Sequence, residues 1–146
     1  MQVYKHILVA VDFSEHSDIV VQRAKSFREQ FKAKLSIIHI TENLPITNVM
    51  DGQVMPIDME LSEQYLQLSK QRLAALGTEL GVVEQDQWLV VGSPQTEIVS
   101  LAVDNKVDLI IVGSHGRHGL ALLLGSTANG VLHHAQCDVL AVRLKE

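Results

Sequence analysis

The densest chemistry in the chain is a run of glycines near its C-terminal end, "GSHGRHG" from Gly113 to Gly119, followed by the apolar "LALLL" and then Gly125-Ser126-Thr127. Glycine has no Cβ, so Gly113, Gly116 and Gly119 can take positive φ and let a ligand approach the backbone closely. The apolar run "DLIIVG" (108–113) precedes the stretch, and a segment of helical period follows from about Ser126. The glycines therefore join a strand end to a helix N-terminus. The first amides of a helix lack intrahelical partners and stand at the positive end of its dipole, so a phosphate is readily held there. Arg117 would add a cation, and the hydroxyls of Ser126 and Thr127 would donate to phosphate oxygens. The plainer alternative is a turn that only reverses the chain, but one turn does not need so many glycines.

Two better-known phosphate loops do not fit. A P-loop needs Lys directly after its last glycine, whereas Gly125 is followed by Ser126. The dinucleotide fingerprint needs G-x-G-x-x-G after the first strand, and here the first strand runs into "VDFSEHS". Asp12, at the end of that strand, is either a ligand-facing carboxylate or a turn and helix-capping aspartate. A phosphoacceptor receiver domain would require a second aspartate after the third strand, which instead ends "WLVVGSP". A serine hydrolase would require a G-x-S-x-G elbow, and none is present.

His115, His118, His133 and His134 invite a metal, yet none has Cys or carboxylate partners at zinc spacing, and adjacent residues 133 and 134 point to different faces. No metal site built from protein ligands alone is expected. His39 reads as a hydrogen-bonded buried histidine. Cys137 has no basic neighbour in sequence to activate it and reads as an inert thiol. Trp88 and the Met50/Met55 pair read as core and loop packing.

The elements that must position these groups are legible from the apolar runs "HILVAV" (6–11), "KLSIIHI" (34–40), "QWLVV" (87–91), "DLIIVG" (108–113) and "DVLAVRL" (138–144). They are continuous rather than alternating, as in a parallel sheet covered on both faces. Between them lie four segments of helical period. Val20, Ala24, Phe27 and Phe31 form one face behind a Ser14 or Ser17 cap. Leu61, Tyr65, Leu68, Leu76 and Leu80 mark a second helix that Gly81 would end. The third opens with Ser93 as N-cap and Pro94 at its first position, and turns Ile98, Leu101 and Ala102 inward. The fourth runs from about Ser126 to His134 with Ala128, Val131 and Leu132 inward. Residues 42–58 read as a long loop, and loops of such length are often lids. Strand and helix alternate throughout 1–146, which predicts a single doubly wound α/β domain with five strands and four helices on both faces. Ligands of such sheets bind at the carboxyl ends of the strands, where the strand order reverses.

Composition narrows the partners. A formal net charge of −5 with scattered cations argues against nucleic acid. No apolar run is long enough to span a bilayer, so no membrane association is expected. A single cysteine fits a reducing compartment, and a cytoplasmic location is expected. The last strand would lie at a sheet edge, an aggregation hazard unless paired, and a two-fold contact between copies would cover it.

"HILVAVDFSEHS", the order G-S-H-G-R-H-G…L-L-G-S-T, and the closing "CDVLAVRL" resemble the universal stress protein family over essentially the whole chain. The resemblance implies a Rossmann-like five-stranded parallel sheet of the adenine-nucleotide-binding type and homodimers joined through the C-terminal strand. In one branch of the family it implies a bound ATP or AMP, with Mg²⁺. By position, Ala10 and Val11 would line the adenine side, and Ile40 would meet adenine through its backbone. Asp12 would lie near the ribose and phosphates or the Mg²⁺. Val112 and Gly113 would close the pocket, while Gly116, Gly125, Ser126 and Thr127 would hold the phosphates. That branch spaces its glycines G-x-x-G, nine residues, G-[ST], whereas here only residues 117–124, eight in number, separate Gly116 from Gly125. Two functions follow: a nucleotide-binding sensor or switch, with at most slow ATP hydrolysis because no dedicated base is present, or a stress-response dimer acting through unknown protein partners without nucleotide.

Overall fold

The structure is a computed structural model that describes residues 3–41, 57–114 and 125–144, with side chains from residue 63 onward in the second stretch. Five strands, β1 (His6–Val11), β2 (Lys34–Thr41), β3 (Gln87–Val91), β4 (Leu109–Gly113) and β5 (Asp138–Val142), form one parallel sheet in the order β3-β2-β1-β4-β5. Among the described residues four α-helices connect them, α1 (Ser17–Phe31), α2 (Ile57–Leu80), α3 (Pro94–Asp104) and α4 (Ser126–His134), with a short 3-10 turn at Glu84–Asp86 before β3. The α/β class and the number of strands and helices match the expectation from the alternating apolar runs.

Because strand side chains alternate, the continuous runs feed two cores at once. Ile7, Val9, Leu35, Ile37 and Ile111 face Val20, Ala24 of α1 and Leu73, Leu80 of α2. Leu8, Ile38, Ile110 and Val112 face Ile98 and Ala102 of α3 and Ala128 and Val131 of α4. Each such valine, leucine or isoleucine contributes roughly 1.5–3 kcal/mol by leaving water. Thus α1 and α2 cover one face, α3 and α4 the other. The chain builds β1, β2, β3 outward on the first face, then α3 carries it back past β1 to begin β4. The reversal of order falls at the β1/β4 seam.

Helix boundaries follow local chemistry, with some corrections. Neither Ser14 nor Ser17 caps α1: the cap position is His16, which makes no side-chain capping bond, and Ser17 is the first helical residue. Helix α2 ends as expected at Gly81, whose φ of +69° lets the amide of Val82 reach back to the carbonyl of Gly77 at 2.8 Å. The helix begins at Ile57, so residues 57 and 58 are helical and not loop. Residues 42–56, with Met50 and Met55, and the side chain of Leu61 lie outside the described residues. Pro94 opens α3 behind Ser93 as expected, although Ser93 makes no side-chain capping bond. Leu68 and Leu132 are exposed rather than inward. On α2, Leu80 is buried and Leu76 packs against the core as expected, and they are joined by Leu73 and, unexpectedly, Ser69. On α4 the inward position beside Val131 is Gly130, where a Cβ would collide with the Gln95 side chain of α3. A leucine at 132 is rotated off that tight contact onto the solvent side. The last strand stops at Val142, although Leu144 remains buried beneath α1.

At the amino ends of the strands, the Asp108 carboxylate accepts the amides of Lys5 (2.8 Å) and His6 (3.0 Å). The His6 ring bridges β2 and the end of α3: Nδ1 donates to the Asn105 carbonyl at 3.1 Å, leaving Nε2 to accept the Ser36 hydroxyl at 2.7 Å.

Candidate functional site

Pairing across the seam is incomplete in one direction. The β1–β4 ladder ends at Val9 opposite Ile111, two residues before either strand ends. By contrast, β1 pairs with β2 as far as Val11 opposite His39, and β4 with β5 as far as Gly113 opposite Val142. The sheet therefore parts between its two halves at the carboxyl ends, where a doubly wound sheet takes its ligand.

Each wall of the opening has a cause in sequence. On one side β1 delivers Ala10, Val11 and then Asp12. Ala10 is half-buried on the α3/α4 face, beside Ile40 of β2, and Val112 is buried on the same face of β4. Val11 turns its side chain into the opposite core, and its carbonyl is taken by Nδ1 of the buried His39 at 2.8 Å, so that ring nitrogen carries the proton. His39 is thus the hydrogen-bonded histidine expected from its place in the strand, and it pins the end of β1 to β2. The ring of Phe13 packs 4.5 Å from it. Phe13 itself has φ of +56°, a conformation costing a side-chain-bearing residue about 1–2 kcal/mol, and it bends the chain sharply after Asp12. The bend brings the Ser14 amide and the Ser17 hydroxyl onto Asp12 Oδ1, at 2.9 and 3.0 Å. The turn role weighed for Asp12 is therefore real. The D-x-S spacing, a common turn signature, was the sequence signal for it.

On the other side, β4 ends at Gly113. Its φ is not positive, and what its missing side chain admits is packing: a Cβ there would lie 2.9 Å from Leu144 Cδ1 and 3.4 Å from Val20 Cγ2. Ser114 follows, its amide bonded to Val142 O (2.8 Å) and its hydroxyl accepting the Leu144 amide (3.1 Å). Its carbonyl accepts the amide of Gly125 at 2.6 Å, which sets the start of α4 directly beside the end of β4. Gly125 is the N-cap residue of α4 and brings no capping side chain, so the first-turn amides have no side-chain acceptor from it. Ser126 is exposed there, Thr127 half-buried and Ala128 buried. Residues 115–124, which include His115, Gly116, Arg117, His118 and Gly119, lie outside the described residues.

The site residues that are described, from Ala10 to Thr127, gather at one end of the sheet. Elsewhere, His133 and His134 are exposed at the end of α4, and among the described residues no three His, Cys, Asp or Glu side chains cluster as metal ligands. Burial pushes the Cys137 thiol up, with Asp108 and Asp138 acting the same way, which keeps it protonated and unreactive. Among the described residues no helix is long and apolar enough to cross a membrane.

The family model described as "Universal stress protein family" matches residues 3–143. The chain belongs to the universal stress protein family. Universal stress protein A homolog 2 of Coxiella burnetii is 42% identical over 146 residues, covering 99% of each chain. Universal stress protein MJ0577 of Methanocaldococcus jannaschii is 30% identical over 156 residues, covering 97% of this chain and 96% of the relative. The solved structure of MJ0577 superposes with a TM-score of 0.78 over 98% of both chains. A universal stress protein solved in complex with cAMP superposes with a TM-score of 0.61 at 29% identity, over 95% of this chain and 96% of that one. This universal stress protein therefore has the Rossmann-like fold that its motifs implied.

Proposed function

We propose that this universal stress protein is a cytoplasmic homodimer that binds an adenine nucleotide, ATP or AMP with Mg²⁺, as a sensor or switch. The observation that carries the reading is the parting of β1 from β4, with Asp12 on one lip and the uncapped start of α4 on the other. Such an opening suits an anionic ligand with an apolar end. Ala10 and Ile40 offer apolar surface, the α4 amides offer donors at a helix dipole's positive end, and Asp12 offers an acceptor for a ribose hydroxyl or a metal. The cAMP complex of a relative supports the ligand class. Bound Mg²⁺ would offset phosphate charge near Asp12. The chain's own groups bind and orient. No side chain at the opening is arranged as a hydrolytic base among the described residues, so turnover of ATP would be slow.

A second reading, a dimer acting through protein partners without nucleotide, is favoured by one feature: only residues 117–124 separate Gly116 from Gly125, one fewer than the nucleotide-binding spacing. Isothermal titration with ATP, AMP and cAMP, with and without Mg²⁺, decides between the two. The purified protein is first denatured to detect any co-purified nucleotide. Micromolar affinity corresponds to about 8 kcal/mol and supports the first reading. The absence of both binding heat and released nucleotide would sink it in favour of the second.

A further inference from the structure

Asp12 is held from the side of α1. The Ser14 amide and the Ser17 hydroxyl both donate to Oδ1, at 2.9 and 3.0 Å. Two donors converging on one oxygen fix both the place and the rotation of a carboxylate that would otherwise swing about its χ2. The turn that creates this convergence is an unfavourable one, since Phe13 must adopt φ of +56°. Ser17 is the first residue of α1, and it spends its hydroxyl on the carboxylate at the seam five positions earlier.

We infer that Ser17 is a positioning residue for the ligand carboxylate of Asp12, orienting it toward the ribose or metal of a nucleotide in the β1/β4 opening. The inference rests on the nucleotide reading above. A hydroxyl that only tied the turn to the helix would act through the Asp12 Oδ1 acceptor, which an asparagine keeps, so the two roles separate by whether the effect on affinity needs the charge of Asp12.

The experiment is a double-mutant cycle on nucleotide affinity in the full chain. Ser17→Thr keeps the hydroxyl and Ser17→Val replaces it with a methyl of the same shape, so the pair isolates the hydrogen bond even if the branched side chain disturbs the helix start. Titration with Mg²⁺-ATP should show Ser17→Val weaker than Ser17→Thr by about tenfold, the lower end of what partners orienting a ligating group carry. In an Asp12→Asn background the difference between the same two variants should vanish, because the group being positioned has lost its charge. Equal affinities for the two variants would overturn the inference and leave the nucleotide reading standing. A tenfold difference that persists with Asp12→Asn would overturn it too, by showing an effect through the fold. Absence of binding by the wild-type chain would remove the reading and the inference together.

Discussion

The amide of Gly125 donates to the carbonyl of Ser114 at 2.6 Å, so the residue that begins α4 is bound to the residue that follows β4. Gly125 has φ of −62° and ψ of 155°, values open to any residue, so glycine is not required there by its backbone conformation. What glycine provides is an approach without a side chain to the first amides of α4.

It follows that Gly125→Val together with Gly116→Val should abolish nucleotide binding while leaving the fold intact. A loss of at least tenfold in affinity by titration, with an unchanged circular dichroism spectrum and denaturant midpoint, is the expected outcome. Unaltered affinity would place the phosphates elsewhere.

Much of the fold was legible because the signals were local. The runs at 6–11 and 87–91 became β1 and β3 with the same bounds, and Gly81 ended α2 as its backbone freedom implied. Signals that depend on tertiary neighbours were not legible. Nothing near Gly130 in sequence announces the Gln95 side chain that lies against it, and so the helical pattern turns Leu132 inward although it is exposed. The site divides along the same line. That Asp12, Ile40 and Gly113 stand at strand ends followed from the runs. That Phe13 bends backward, and that His39 takes the Val11 carbonyl 28 positions away, depends on strands meeting side by side.

Gly113 yields a stability prediction opposite in kind to that for Gly125. A methyl added there would lie 2.9 Å from Leu144 Cδ1, the far end of a side chain that can shift, and 3.4 Å from Val20. Gly113→Ala should therefore destabilise by about 1–3 kcal/mol through overpacking. Leu144→Ala alone would cost about 2–5 kcal/mol, but the double variant should cost less than the sum, since the cavity accepts the methyl. Strict additivity in urea midpoints would show that the two side chains do not compete for the same space.

His6 gives the pH dependence. Burial lowers its pKa below the ordinary 6.5, with Lys34 acting in the same direction, while the bond to the Asn105 carbonyl and the charges of Asp86 and Asp108 oppose it. Below pH 6.5 the unfolded chain takes up a proton that the folded chain resists, so stability falls as the pH drops from 6.5 through the lower folded value. His6→Gln removes the titrating ring and should flatten that part of the profile, at a cost of about 1 kcal/mol near neutrality for the altered bonds to Ser36 and Asn105. Urea midpoints collected across the acid limb check both parts. A slope that stays the same in His6→Gln would assign the pH dependence to other groups.

The remaining prediction concerns β5. Among the described residues this strand is last in the sheet and pairs only with β4, and its Val139, Leu140 and Ala141 are half-buried. An apolar edge of this kind invites a further strand. A two-fold contact between β5 strands would supply it, placing each substituted residue in the interface twice. Ala141→Arg should then weaken self-association by at least about tenfold, because two like charges would be buried near the symmetry axis. Ala141 also packs against the α3/α4 core and pairs with Val112, so the variant's circular dichroism spectrum and urea midpoint are compared with wild type before its association is read. Sedimentation velocity at micromolar concentrations reads the result directly. A wild-type chain already monomeric there, or a variant that still sediments as two chains, would rule β5 out as the contact.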